Sequence, residues 1–161
     1  MWLHPCTVLG RKMNLDHKSL CEVAERWLGK NKKQNLVFPK YPIHVREMFC
    51  LNVSEIPDAI GFNYCGSCII EVKVTHADFI ADQKKPFRQN GDGMGNYRYY
   101  LCPENLINEN ELPKGWGLIY VSKSGRTKEI KKSDFFDLTK NGYINEKCYL
   151  FSICSRIKKG I

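Results

Sequence analysis

Two carboxylates and one amine in this chain are spaced so that they can meet. Asp58 follows Pro57 at the start of one apolar run, and Glu71-Val72-Lys73 closes the next. Residues two apart in a strand project from the same face, so Glu71 and Lys73 point together while Val72 points into the core. If the two runs pair as antiparallel neighbours, Asp58 comes alongside them. Two carboxylates that close repel each other and raise one pKa. A divalent cation relieves the conflict, and Mg²⁺ prefers such hard oxygen ligands, with Mn²⁺ as a substitute. The cation polarises a phosphodiester. A neighbouring lysine orients the attacking water or stabilises developing charge. The inventory suits phosphodiester hydrolysis, with no nucleophilic triad and no Walker-type phosphate loop. The plain alternative is a solvated ion pair on a hairpin.

The elements that must position these residues can be read in outline. Asp16 can cap a helix running to about Lys30, whose Leu20, Val23, Ala24, Trp27 and Leu28 share one face. The basic stretch Lys30–Lys33 suits its C-terminus. Strands are expected at His44–Leu51, Asp58–Tyr64 and Cys68–Val74, the last two joined by a hairpin turn at Cys65-Gly66-Ser67. Thr75-His76-Ala77-Asp78 matches a capping box, so a helix should follow to about Lys85, before Pro86. Asp78 then caps, and Asp82, one turn on, is expected at the surface or in a structural role. Asn90–Asn96 reads as a loop. Tyr97–Cys102 and Trp116–Ser122 are two more strands, and Leu150, Ile153, Cys154 and Ile157 mark a last helix. The fold class is α/β: a mixed sheet flanked by helices, in a single domain over residues 1–161. Met13 could serve as a start, which would make residues 1–12 a loose extension.

At these residues the chain resembles the PD-(D/E)XK nuclease superfamily. The motif reads Pro57-Asp58, then Glu71-Val72-Lys73. The run from Glu71 through Thr75, Asp78-Phe79 and Asp82 to Lys84 is similar to that of MmcB-like DNA-repair nucleases and their phage relatives. Tyr97–Pro103, Leu112-Pro113 and Trp116–Val121 look like the strands that follow. The likeness covers about Ile43 to Val121. It implies a restriction-endonuclease-like α-β-β-β-α-β core and a Mg²⁺-dependent deoxyribonuclease used in DNA repair or phage DNA metabolism. It implies that Asp58 and Glu71 bind metal, with the Val72 carbonyl as a third ligand, and that Lys73 is the catalytic lysine. A further upstream acid is usual in the family. Glu47 is the first choice because it falls on the preceding expected strand, and Glu25 or Glu22 are the alternatives.

Composition sets the wider frame. The 161 residues are 43% hydrophobic and 26% charged, which is globular rather than disordered. The net charge of +8 favours an anionic partner, with DNA first. Lys84, Lys85 and Arg88 form one candidate phosphate-tracking cluster. Lys123, Arg126, Lys128, Lys131 and Lys132 form another. Tyr97, Tyr99 and Tyr100, interleaved with Arg98, leave one or two rings for stacking on bases. No stretch approaches a membrane span, and the N-terminus lacks a signal-peptide pattern. A cytoplasmic location in a bacterial or phage-infected cell follows, where eight cysteines stay reduced. Cleaving both strands at one locus would favour a homodimer.

Two other functions compete. One is a non-catalytic DNA-binding or assembly module on the same fold. The other is a zinc-stabilised interaction protein built on Cys65 and Cys68. That pair supplies half a zinc site, and only Cys102 or His76 are candidates to complete it. His76 is expected at a helix start, with contact to substrate the lesser alternative.

Overall fold

In the computed structural model, which describes residues 12–30, 40–89 and 92–160, six strands form one mixed sheet. The segments 1–11 and 31–33, expected as an extension and a basic helix end, lie outside the described residues, as do positions 90 and 91 of the expected loop. Helix α1 (His17–Gly29) begins at Asp16, whose side chain accepts the Ser19 amide hydrogen at 2.8 Å. This is the N-cap its residue type favours. Strands β1 (Ile43–Arg46), β2 (Ala59–Asn63) and β3 (Gly66–Val72) follow as an antiparallel meander. Helix α2 (His76–Gln83) and the short α3 (Pro86–Gln89) then return the chain to β4 (Tyr97–Pro103), which is parallel to β3. Beyond a 3₁₀ turn at Glu109–Glu111 come β5 (Gly117–Val121), β6 (Thr127–Lys131) and α4 (Lys140–Lys159). The strands lie in chain order across the sheet; β5 is parallel to β4 and β6 antiparallel to β5.

The sheet separates two cores. On one face, Leu20, Val23, Ala24 and Leu28 of α1 cover Cys68, Ile70, Val72 and Leu101. On the other, Phe79 of α2 with Tyr149 and Ile153 of α4 covers Ile60, Ile69, Tyr100 and Leu118. Strand alternation assigns each residue its side. Ile69 faces the α2 layer, so Glu71, two residues on, faces it as well. Buried bonds fix α4 in place: Tyr149 Oη donates to the Met48 carbonyl at 2.9 Å, and Glu146 accepts from the Gly95 amide at 3.0 Å.

Four expectations are corrected in detail. The first strand stops at Arg46 rather than Leu51, because Glu47 adopts a left-handed φ of 45° that ends pairing. The β2–β3 turn falls at Tyr64-Cys65, one residue early, with the Asn63 side chain accepting from the Cys65 amide at 2.8 Å. Gly66 has φ 137° and opens β3. The basic cluster after Gly125 contains a strand, β6, whose alternating charges mark a protected sheet edge. The last helix starts ten residues before its apolar positions, at a Thr139 cap, and ends on Gly160 at φ 71°.

Candidate active site at the β2–β3 end

The start of β2 and the end of β3 lie side by side, and the backbone joins them. Asp58, just ahead of β2, accepts the Val72 amide hydrogen on Oδ2 at 2.7 Å. Its carbonyl accepts the Glu47 amide hydrogen at 2.9 Å. Asp58 is thus fixed against the peptide that links Glu71 to Val72. Its other oxygen, Oδ1, lies 3.2 Å from His17 Nε2 at the start of α1.

Glu71 and Lys73 lie together in the opposite layer, with Nζ 3.2 Å from Glu71 Oε2. Asp58, expected to meet them, makes no ion pair with Lys73: it reaches this strand end only through the Val72 amide, and the second carboxylate on Lys73 is Asp82, at 3.4 Å. The Glu71, Asp82 and Arg88 side chains are each at most 4% exposed. Arg88 lies 2.9 Å from Glu71 Oε1 and 3.1 Å from Asp82 Oδ2, and also grips Glu55. Lys85 reaches Asp82 at 2.6 Å, and Tyr100 donates to it at 2.8 Å. Glu55 accepts the Met94 amide hydrogen at 2.8 Å. The Arg88 guanidinium also stacks over Trp116, 4.7 Å from the ring centre. Three carboxylates therefore face three cations, of which Lys73 and Arg88 are enclosed and Lys85 is half-exposed.

Electrostatics splits the acids. Burial pushes the Glu71 carboxyl up, to about 7, against the pull of Arg88 and Lys73; Asp58 and Glu55 add to the rise. Burial also works to raise Asp82. There the Arg88 and Lys73 charges, with hydrogen bonds from Lys85 and Tyr100, outweigh it and hold the carboxyl well below the usual range. Arg88 is raised: burial opposes its charge, but Glu71, Glu55 and Asp82 prevail. Burial pushes the Cys21 thiol up to about 12, with Asp58 and Glu47 adding to it.

Several expected residues sit elsewhere than the spacing implied. Glu47 leaves the strand, yet its Oε1 comes 3.9 Å from His17 Nδ1. Glu25 and Glu22 grip Arg46 at 2.8 and 3.3 Å. Arg88, expected on a basic DNA-facing surface, is sequestered in the ion cluster; Lys85 is bound to Asp82, and Lys84 is exposed. Asp82 is at the centre of the cluster rather than at a surface. Tyr99, Tyr100 and Arg98 are buried, Arg98 donating to the Gly93 and Gly95 carbonyls. His76 pairs with Glu111 at 2.7 Å. Cys68 belongs to the α1-side core and Cys102 to the other, so the sheet keeps them apart; Cys65 is exposed in the turn.

The sequence reading also missed residues. His17 and Cys21 are one helical turn apart, a spacing that places both on one face of α1. Glu55 carried no signal, because its partners are distant in sequence.

No protein-family model and no curated protein matches the chain. Among solved structures, a protein of unknown function from Silicibacter pomeroyi superposes with a TM-score of 0.53. The match is 16% identical and covers 72% of this chain and 77% of that one. That likeness supports the α/β fold class.

Proposed function

We propose that this chain is a metal-dependent phosphodiester hydrolase acting on DNA, built on a restriction-endonuclease-like core. One observation carries the reading. The Asp58–Val72 hydrogen bond ties the acid that opens β2 to the strand end from which Glu71 and Lys73 project. The α1-β1-β2-β3-α2 order, with β4 parallel to β3, supports the core.

The donor set fits a hard divalent cation. Asp58 from the α1 side, Glu71 from the α2 side and the Val72 carbonyl offer oxygen ligands at the strand end, and a cation there would offset the burial that chiefly raises Glu71 and the smaller repulsion from Asp58 that adds to it. When bound, Mg²⁺ or Mn²⁺ would polarise the scissile phosphate and lower the pKa of an adjacent water. The protein's own residues do the rest. Asp58 is held rigid by the Val72 amide. Lys73, anchored between Glu71 and Asp82, orients the attacking water and offsets charge on the phosphoryl oxygens. Asp82 and Arg88 keep that amine and Glu71 from swinging apart. The net charge of +8 attracts the nucleic acid backbone.

A second reading has its own observation. Arg88 already neutralises Glu71 from the buried side, which suits a non-catalytic DNA-binding module on the same fold. The deciding experiment is incubation of the purified chain with labelled single-stranded, duplex and branched DNA, with and without Mg²⁺ or Mn²⁺. Metal-dependent cleavage that disappears in Glu71→Gln and Asp58→Asn supports hydrolysis. DNA binding with no cleavage under any metal supports the module. Cleavage persisting at the wild-type rate in Glu71→Gln excludes the proposed site.

A further inference from the structure

A second constellation lies on the α1 side of the same strand end. His17, Cys21 and Asp58 each offer one ligand atom, and these atoms lie within 4.8 Å of one another. The donors are nitrogen, sulfur and oxygen, a mixture suited to a borderline cation and poorly suited to Mg²⁺. We propose that His17, Cys21 and Asp58 form a Zn²⁺-type site that clamps the start of α1 to the β2–β3 end.

The geometry is close to what the ion requires. Tetrahedral Zn²⁺ with these ligands places neighbouring donor atoms roughly 3.3–3.6 Å apart. Here His17 Nε2 is 3.2 Å from Asp58 Oδ1 and 3.9 Å from Cys21 Sγ, which lies nearer Nδ1, at 3.5 Å, so a modest turn of the imidazole would complete the arrangement. Each ligand has a backbone reason to be in place. Asp16 caps α1 and sets the helical phase that stacks Cys21 over His17. The Val72 amide holds Asp58 Oδ2, leaving Oδ1 turned to His17. Glu47, drawn in by its amide bond to the Asp58 carbonyl, brings Oε1 to 3.9 Å from His17 Nδ1. That is beyond hydrogen-bond distance; on ion binding a small shift would make Glu47 the outer carboxylate that orients a ligating imidazole. Cys21 is fully buried while His17 is half-exposed, so the ion enters from the histidine side and the fourth position is open to water.

This inference stands apart from DNA hydrolysis and shares only Asp58 with it. The probe is Co²⁺, which reports thiolate ligation through a charge-transfer band. Titration of the purified chain should give one tight Co²⁺ per chain with that band, displaced by Zn²⁺ and not by Mg²⁺ in large excess. Cys21→Ser should abolish the band. His17→Ala, at a half-exposed position that leaves the core intact, should weaken binding at least ~10-fold, since loss of an outer partner alone costs that much. Glu71→Gln should leave both band and affinity unchanged, which separates failure of this site from failure of the hydrolytic one. Absence of the band in the wild-type chain, or its persistence in Cys21→Ser and undiminished affinity in folded His17→Ala, would overturn the proposal.

Discussion

The two sides of the β2–β3 end hold comparable sets of ionisable groups in different surroundings. On the α2 side, Glu55, Glu71 and Asp82 are enclosed with Lys73, Lys85 and Arg88, and most of these groups have almost no contact with solvent. On the α1 side, Asp58 is one-fifth exposed, and His17 and Glu47 nearly half. In the enclosed cluster each charge depends on its partners, because removing one strands another in low dielectric. At the rim, water screens the same interactions and each contact contributes little. The enclosed side can hold its charged groups rigid, and the rim can admit an ion.

The sharpest way to break this contrast is to remove the central cation. Arg88→Met should destabilise the fold by about 3–5 kcal/mol, as expected for one partner of a buried charge network. Urea unfolding would measure it, and a loss below about 1 kcal/mol would mean the cluster is wetter than its burial indicates.

Tyr100→Phe is a smaller test on the same side. It deletes a hydrogen bond to the charged Asp82 while keeping the ring stacked on Trp116, and should cost roughly 1.5–3 kcal/mol in the same assay.

Titration gives a third test. Between the ordinary Glu value and about 7, folded Glu71 holds a proton that the unfolded chain has lost. Stability should therefore fall as pH rises through that window. Glu71→Gln should flatten that segment of the profile. Asp82 acts in the opposite sense: its lowered pKa stabilises the fold above the ordinary Asp range, and that contribution is lost as pH drops toward the folded value. Urea midpoints across the acid-to-neutral range for wild type and Glu71→Gln would show both signs.

The rim should give the smallest effect. Without added metal, His17→Ala should change stability by no more than about 1 kcal/mol. A larger loss would erase the distinction between the two sides.

Local signals located most elements. The Asp16 and Thr75 caps, the apolar face of α1 and the alternation in β3 and β4 depend on residues near one another in the chain, so their spacing carries them. The parity of Glu71 and Lys73 about Val72 was legible for the same reason. β6 was not, because an edge strand has charged residues on both faces and lacks the apolar alternation that marks a strand. The start of α4 was missed because Asn141 and Gly142 carry no helical signal, and packing of Tyr149 and Ile153 on the sheet holds that helix instead. Tertiary structure alone decided that Arg88 turns inward, that Glu55 joins Glu71 from 16 positions away, and that His17 meets Asp58 across two layers. Those contacts join residues far apart in sequence. Whether a charge there is screened or enclosed depends on what the rest of the fold places over it, and local residue patterns do not encode that.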